Sequence, residues 1–126
     1  MSSRAERERE GRRAETHVAR WLKLRGWTLL AERFKCADGE IDLIARKGEI
    51  IAFVEVKQRA RVDPREDIVT ASGERRMMEA AEVWVDRNRG TLGDRFEIRF
   101  DLAVIEGRVH PLSKVSYIVD AFVGGW

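Results

Sequence analysis

Two charged side chains at the end of the most apolar segment are the first candidates for chemistry. The segment EIIAFVEVKQR covers residues 49–59, and Glu55 and Lys57 follow its run of apolar residues. Residues two apart on a β-strand project from the same face of the sheet. A carboxylate and an ammonium group therefore lie side by side, where they either form a structural ion pair or act on a bound cation and its water.

A second carboxylate, Asp42, lies in the preceding segment GEIDLIAR. The two segments predict a β-hairpin with Gly48 and Glu49 as its two-residue turn, since Gly suits the first central position of a type II′ turn. Counting back from that turn pairs residue 42 with residue 55, unless a bulge shifts the register. The hairpin register thus predicts that the carboxylates of Asp42 and Glu55 face each other.

Two facing carboxylates repel each other, and a divalent cation between them reverses the sign of that interaction. Mg²⁺ is held by one or two carboxylates, with water and substrate phosphate completing its coordination shell. Such an ion polarises a phosphoryl oxygen and lowers the pKa of a bound water. Lys57 can orient that water, help to deprotonate it or neutralise the charge that develops on the phosphorane. These residue types predict metal-assisted hydrolysis of a phosphodiester.

Two helices are predicted from apolar residues at helical spacing. The first covers residues 11–26, and the mixed charges of residues 1–12 indicate either a frayed helix start or a tail. The second covers about residues 72–89 and is predicted to stop at Gly90. The residues predicted to face the core are Ala14, Val18, Trp21 and Leu22 in the first helix, and Met77, Ala81, Trp84 and Val85 in the second.

Strands are predicted at residues 27–34, in the hairpin and at residues 95–107, with a short strand and a tail after residue 108. The polar residues 60–72 around Pro64 predict a loop. The resulting order, αβββαβ with an optional last strand, indicates an α/β fold with a mixed central sheet flanked by helices. A chain of 126 residues suits a single domain with one core.

Composition excludes several classes of protein. No run approaches the roughly 18 apolar residues that span a membrane, and the first ten residues lack the apolar stretch of a signal peptide. The single Cys36 cannot form an internal disulfide. We therefore expect a soluble, cytoplasmic protein. Residues 1–35 carry ten Lys and Arg against five Asp and Glu, an asymmetry that suits either a polyanionic partner or a solvated surface.

Several motifs resemble a known family. Asp42 followed by Glu55-x-Lys57 at a strand end resembles the P-D…(D/E)-x-K core of restriction-endonuclease-like nucleases and archaeal-type Holliday junction resolvases. More narrowly, the chain looks like the YraN family of small bacterial proteins. The segments that carry this resemblance extend over nearly the whole chain and are GRRAETHVARWLKLRGW, GEIDLIAR, FVEVKQR, RFD and YIVDAF.

The resemblance implies a restriction-endonuclease-like αβββαβ core that acts on DNA, branched or single-stranded forms included, with Mg²⁺ or Mn²⁺ as cofactor. It assigns the metal to Asp42 and Glu55, the role of catalytic lysine to Lys57 and that of an accessory acid to Glu15 of the first helix. A chain with one such site would cut both strands of a duplex as a homodimer. The superfamily's Pro is replaced here by Ile41.

Three arginines are candidates for contacts to nucleic-acid phosphates, namely Arg59, Arg75 and Arg76, although solvated surface is the commoner role of such residues. Gly73 stands where relatives would be expected to carry Lys or Arg, and Arg75 and Arg76 are close enough to replace that contact. A non-catalytic nucleic-acid-binding or protein-interaction module with the same fold is the alternative to a nuclease. In a third interpretation, Glu55 and Lys57 are only a structural ion pair.

Overall fold

The structure of the chain, a computed structural model, describes residues 3–60 and 70–122. The predicted αβββαβ order and its last strand are confirmed. The predicted loop lies mainly at residues 61–69, outside the described residues. The elements are α1 (Arg4–Leu24), β1 (Thr28–Cys36), β2 (Gly39–Lys47), β3 (Ile50–Arg59), α2 (Ala71–Leu92), β4 (Glu97–Glu106) and β5 (Val115–Ile118).

The five strands form one mixed sheet in the order β1-β2-β3-β4-β5. All neighbours are antiparallel except β3 and β4, which run parallel and are connected through α2. A parallel pair needs such a crossover because the chain must return to the end of the sheet at which β3 began. The hairpin turn is confirmed, since Lys47 pairs with Ile50 and Gly48 has a φ of 61°.

Each helix covers one face of the sheet, and strand alternation supplies the two apolar surfaces. On one face α1 packs through Val18 and Leu22 against β1, β2 and β3. On the other face α2 packs through Met77 and Trp84, with the Trp84 ring edge-on to Phe53 at a centroid distance of 5.9 Å. The sheet is therefore buried on both sides, which holds the ends of its central strands in fixed positions.

The first helix starts seven residues earlier than the amphipathic pattern from Gly11 predicts. Ser3 caps it by accepting a 3.1 Å hydrogen bond from the backbone N–H of Glu6. Further along, Glu10 Oε1 accepts a 2.7 Å hydrogen bond from the backbone N–H of Val109, in the segment after β4. These polar contacts, which hydrophobic periodicity does not register, make residues 4–12 part of the helix and not a tail.

The second helix ends later than predicted, and the assignment of Gly90 as its stop is wrong. The helix continues through Gly90 to Leu92, which is only 5% exposed and belongs to the core on the α2 face. Burial of Leu92 favours the extra turn over an end at Gly90. Gly93 follows the helix with a φ of 80° and a ψ of −176°, an extended conformation at positive φ that glycine adopts readily. No helix within the described ranges is long and apolar enough to cross a membrane.

Candidate functional site

The central hairpin divides where its two strands carry the candidate carboxylates. Pairing between β2 and β3 runs from Lys47 and Ile50 to Leu43 and Val54, and among the described residues no pair follows. Beyond that point β2 continues beside β1, whereas β3 continues beside β4 as far as Arg59. We call this point, at Asp42 and Glu55, the strand fork. The predicted register is therefore confirmed up to the pair next to Asp42 and Glu55, and these two residues border the opening.

Asp42 bridges the fork through its side chain. Its Oδ2 atom accepts a 2.8 Å hydrogen bond from the backbone N–H of Val56, which replaces the ladder bond that the diverging strands no longer make. This is the one polar contact that the structure assigns to the Asp42 carboxylate within the described ranges. A single amide donor compensates only part of a negative charge.

Burial raises the pKa of Asp42 to about 8, and repulsion by the carboxylate of Glu55 contributes next. The Val56 amide and, more weakly, the Lys57 ammonium oppose this rise, while Glu15 adds to it. At neutral pH the folded chain therefore holds Asp42 mainly as the neutral acid. An additional positive charge at the fork would favour the ionised form of Asp42, because the donors already present compensate its charge only in part.

Glu55 and Lys57 form an ion pair on the face that α2 covers. Lys57 Nζ lies 2.9 Å from Glu55 Oε1, and the two side chains are 31% and 19% exposed, Lys57 being the more accessible. Both residues lie on the part of β3 that is paired only with β4 in the described structure. The contact fits the structural ion pair and the catalytic pair equally well. What distinguishes the site is the neighbouring Asp42, whose pKa responds to both side chains.

Glu15 approaches the fork from the other face of the sheet. Its Oε2 atom is buried and has no hydrogen-bond partner in the described part of the chain. The nearest positive charge is Arg33 Nε at 3.6 Å, which makes an ion pair without hydrogen-bond geometry. Burial raises the pKa of Glu15, Arg33 lowers it, and Glu55 raises it further. The structure thus brings Glu15 within electrostatic reach of both Asp42 and Glu55.

Arg33 is a residue of this site that the sequence analysis missed. It has a φ of 54°, a left-handed conformation that is uncommon for a residue with a side chain. It lies opposite Asp42, because the flanking pairs join Glu32 to Leu43 and Phe34 to Ile41. Hydrophobic patterning gives no signal for a positive φ in Arg, so only the backbone geometry could find this residue.

The regular alternation of side chains between the two faces of the sheet breaks at Arg33 and Asp42. In β2, Ile41 and Ile44 both pack on the α2 face, although residues three apart in a regular strand point to opposite faces. In β1, Ala31 and Phe34 likewise share the α2 face. The paired break directs the intervening side chains of Arg33 and Asp42 into one cleft on the α1 side.

Two clefts meet at the fork. The first, which we call the α2 cleft, has a volume of about 540 Å³ and contains Glu55, Lys57 and Arg59 together with the start of α2. The second, the α1 cleft, has a volume of about 290 Å³ and contains Glu15, Asp42 and Arg33. Lys35 and Glu40 line both, so the candidate residues are distributed over two connected openings.

The three candidate arginines separate in the structure. Arg59 and Arg76 line the α2 cleft, together with Gly73, whereas Arg75 lies on the exposed surface of α2 and lines none of the clefts found in the described chain. Gly73 donates its backbone N–H to the capping hydroxyl of Thr70 at 3.0 Å. The backbone at Gly73 and the side chain of Arg76 therefore form part of the α2 wall of the cleft. The contact of the three arginines with nucleic acid stays a prediction.

Gly39 fixes the position of the opposite wall. A Cβ atom at this position would collide with the backbone carbonyl of Arg76, and a carbonyl within a helix cannot move aside. Only Gly therefore lets the start of β2 approach α2 this closely. The width of the α2 cleft depends on this backbone contact.

The donor set at the fork fits a hard divalent cation. Its candidate ligands are carboxylate oxygens, the donors that Mg²⁺ and Mn²⁺ prefer. One of them, Glu15 Oε2, is buried without a hydrogen bond in the described structure. No group of three or more His, Cys, Asp or Glu side chains within residues 3–60 and 70–122 is arranged to hold a metal by itself. Mg²⁺ sites that act on phosphates need only one or two carboxylates, so binding by Asp42 and Glu55 stays a prediction of that kind.

The RFD and YIVDAF motifs have a different role from the fork. Asp101, which is fully buried, accepts hydrogen bonds from Arg99 Nε at 3.0 Å, from Tyr117 Oη at 2.6 Å and from the backbone N–H of Asp120 at 3.0 Å. The hydrogen bond to Asp101 raises the pKa of Arg99, and burial together with the hydrogen bond to Asp101 raises the pKa of Tyr117. This Asp101 cluster fastens the segment after β5 to β4 and lies apart from the clefts at the fork.

The chain matches a family of known sequences. The sequence profile of the uncharacterised protein family UPF0102, the YraN family, matches residues 14–105. The chain belongs to this family. The matched region contains Glu15, Asp42, Glu55 and Lys57, and the resemblance to YraN proteins is thereby confirmed.

Curated relatives cover most of the UPF0102 chain. A UPF0102 protein of Agrobacterium fabrum is 39% identical over 121 residues, which cover 96% of this chain and 94% of the relative. One from Rhodopseudomonas palustris is 44% identical over 92 residues, with coverage of 73% and 70%. One from Mesorhizobium japonicum is 38% identical over 123 residues, with coverage of 98% and 94%. The similarity therefore includes both helices and the sheet.

Proposed function

We propose that this UPF0102 protein is a divalent-cation-dependent nuclease that hydrolyses phosphodiester bonds in DNA at the strand fork. The observation that carries the proposal is Asp42, a half-buried carboxylate with one amide donor, beside Glu55 and within electrostatic reach of Glu15. An uncompensated acidic group of this kind costs stability, which favours a role in ligand binding over a role in folding.

Asp42 and Glu55 would hold the cation, because they border the opening between β2 and β3 from opposite strands. A bound Mg²⁺ or Mn²⁺ would supply positive charge that neutralises the scissile phosphate and favours attack by water. Asp42 must lose its proton on binding, since its pKa is about 8 in the absence of a cation. Cation affinity should therefore increase as the pH rises through this range.

Lys57 is the group best placed to act on the attacking water. It is held 2.9 Å from Glu55 and is 31% exposed, so a substrate in the α2 cleft can reach it. If Glu55 held a cation, the Lys57 ammonium would be available to orient the water or to stabilise charge on the phosphate. Glu15, on the other side of the fork, would assist by accepting a proton or a hydrogen bond from that water.

The α2 cleft would receive the DNA backbone. Four side chains contribute positive charge to its lining, namely Lys35, Lys57, Arg59 and Arg76. The capped start of α2 adds backbone N–H groups. Contacts of this type bind phosphate without reading the base sequence, and binding should weaken as salt increases.

A non-catalytic nucleic-acid-binding module is the second candidate. It is favoured by the four basic side chains that line the α2 cleft beside three acidic ones, and by the absence, among the described residues, of an all-protein metal cluster. The Asp42→Asn variant separates the two functions. A binding module would retain or improve its affinity for DNA, whereas a nuclease would lose turnover.

The test is a cleavage assay with Mg²⁺ and with Mn²⁺ on single-stranded, duplex, flapped and four-way-junction DNA. Wild-type protein is compared with Asp42→Asn and Lys57→Ala, and we expect cation-dependent cleavage that each variant reduces about 100-fold or more. The junction and flap substrates reveal any preference for branched DNA.

Two exposed residues outside the clefts provide matched controls. Asp94→Asn and Lys114→Ala remove the same charges from the surface and should cut like the wild type. Cleavage that is equal in all five proteins would come from a contaminant, and absence of cleavage on every substrate would favour the binding module.

A further inference from the structure

Arg33 has the features of a residue with two alternative partners. Its Nε atom lies 3.6 Å from Glu15 Oε2, a distance at which charge attraction persists but no hydrogen bond forms. The Arg33 side chain is 44% exposed. A guanidinium group carries five N–H donors, and within the described ranges the structure gives it this ion pair alone. The group is thus attracted to Glu15 without being fastened there.

The backbone holds Arg33 at the fork at a cost in conformational energy. Residues with a Cβ atom in the left-handed region carry backbone strain, and such strain accumulates at ligand sites. Here the strain accompanies the break in alternation that directs both Arg33 and Asp42 into the α1 cleft. A surface arginine that served only as solvated charge would not need this conformation.

The arrangement of charges at the fork gives the Arg33 guanidinium a role there. Among the described residues, Arg33 forms the ion pair with Glu15, and Lys57 forms the one with Glu55. A cation at Asp42 and Glu55 would compensate Glu15 as well, because these carboxylates are electrostatically coupled. Arg33 would then be released at the rim of a cleft that joins the α2 cleft through Lys35.

We propose that Arg33 is a positioning residue that couples cation binding to DNA binding: it compensates Glu15 in the cation-free protein and turns to a DNA phosphate once a cation occupies the fork. This inference rests on the proposed function. It makes Arg33 a competitor of the cation in the free protein and a partner of the phosphate in the complex. The two binding events therefore become cooperative, and by linkage each tightens the other by the same factor.

The experiment measures both affinities in a Lys57→Ala background, in which we expect cleavage of DNA to be reduced about 100-fold or more. Mn²⁺ binding to the free protein is followed by the paramagnetic resonance signal of the unbound ion, and DNA binding by fluorescence anisotropy with and without saturating Mn²⁺. Proteins with Arg33 are compared with Arg33→Asn, because Asn tolerates the left-handed conformation and removes the guanidinium group. Circular dichroism establishes that the variants are folded.

With Arg33 present, saturating Mn²⁺ should tighten DNA binding about fivefold or more. Arg33→Asn should bind Mn²⁺ about two- to fivefold more tightly than its parent, since the competing ion pair is gone. The same variant should lose most of the gain in DNA affinity on addition of Mn²⁺. Arg33→Lys, which keeps the charge, should retain part of that gain.

Arg12→Gln is the matched control, because Arg12 lines the same cleft but is not paired with Glu15 in the structure. It should alter the general attraction for DNA and leave the Mn²⁺ coupling intact. If Arg33→Asn fails to fold, Glu15→Gln tests the same claim: it frees Arg33 without a cation, so DNA binding should tighten in metal-free buffer and respond less to Mn²⁺.

Equal Mn²⁺ affinity and equal coupling in the Arg33 and Arg33→Asn proteins would overturn the role of Arg33 and leave the proposed function standing. The proposed function itself fails if Asp42→Asn binds Mn²⁺ as tightly as its parent, since the ion is then not at the fork. Absence of any Mn²⁺ binding overturns both claims.

Discussion

Asp42 and Asp101 are two aspartates in the same sheet whose negative charges are compensated to very different extents. Asp101 is completely buried, yet Arg99, Tyr117 and a backbone N–H donate to its two oxygens. Asp42 is more accessible, yet receives one backbone N–H and has Glu55 and Glu15 as neighbours. The more deeply buried carboxylate is therefore the better satisfied one.

The difference indicates what each aspartate is for. A buried polar network in which every member has its partner makes the fold rigid, and the Asp101 cluster does this for the segment after β5. A carboxylate whose neighbours are also carboxylates destabilises the fold unless a ligand arrives. The contrast supports the proposal that Asp101 is a structural aspartate and Asp42 a binding aspartate, and variants at each position test it.

The largest effect is expected for Asp101→Asn. The substitution leaves the Arg99 guanidinium without its carboxylate and places an amide donor where the other side chains donate, which should reduce the free energy of unfolding by about 3–5 kcal/mol. Urea denaturation followed by circular dichroism measures the loss. Asp86→Asn is the control, since Asp86 pairs with Arg89 on an exposed surface of α2 and should contribute less than about 1 kcal/mol. A similar small loss at Asp101 would contradict the structural role.

Asp42→Asn should have the opposite effect and stabilise the cation-free protein. The unfolded chain releases this proton near pH 3.8, whereas the folded chain retains it until about pH 8. The wild type therefore loses stability relative to the variant as the pH rises from about 4 to about 8, and the two proteins are similar below that window. Asn keeps an acceptor for the Val56 N–H.

We expect the variant to be more stable by at least about 2 kcal/mol at pH 8, because one pKa unit corresponds to about 1.4 kcal/mol and the pKa of Asp42 rises by several units on folding. Thermal and urea unfolding across the pH range measure this gap, the difference in the free energy of unfolding between the two proteins. Added Mg²⁺ should stabilise the wild type selectively and narrow it. A gap that does not change with pH, or a less stable variant at pH 8, would mean that Asp42 is compensated in the fold.

A smaller loss is expected for Tyr117→Phe. The variant removes the 2.6 Å hydrogen bond to Asp101 and retains the ring, which stacks on Trp21 at a centroid distance of 5.0 Å. A hydrogen bond to a charged group contributes about 1.5–3 kcal/mol, and the remaining donors to Asp101 place this one at the lower end. Equilibrium unfolding should show that loss, while cation-dependent cleavage stays at the wild-type rate. Loss of cleavage in a folded variant would place the Asp101 cluster in the active machinery.

Much of the fold follows from local pattern. Apolar periodicity and the Gly48-Glu49 turn predict the hairpin register, and that register is what brings Asp42 and Glu55 to the same point of the sheet. The errors arise where polar contacts or burial outweigh the pattern. The first helix begins early because Ser3 caps it and Glu10 anchors it, and the second ends late because Leu92 is buried.

The site is less accessible to sequence reasoning than the fold. Asp42, Glu55 and Lys57 share one hairpin, so strand geometry relates them, and Glu15 enters only through family resemblance. The parting of β2 from β3 depends on long-range pairing with β1 and β4. Arg33 depends on a backbone conformation that its residue type disfavours. The resemblance also includes the RFD motif, and only the structure assigns that motif to the Asp101 cluster.

The ionisation of Asp42 is the measurement that tests this account most directly. A pH titration of its side-chain carboxyl ¹³C resonance, with and without Mg²⁺, reports the charge at the strand fork itself. We predict a midpoint near pH 8 in the absence of the cation and a downward displacement of at least one pH unit in its presence. An ordinary midpoint near pH 4 that Mg²⁺ leaves unchanged would contradict the proposal that the fork is a cation site.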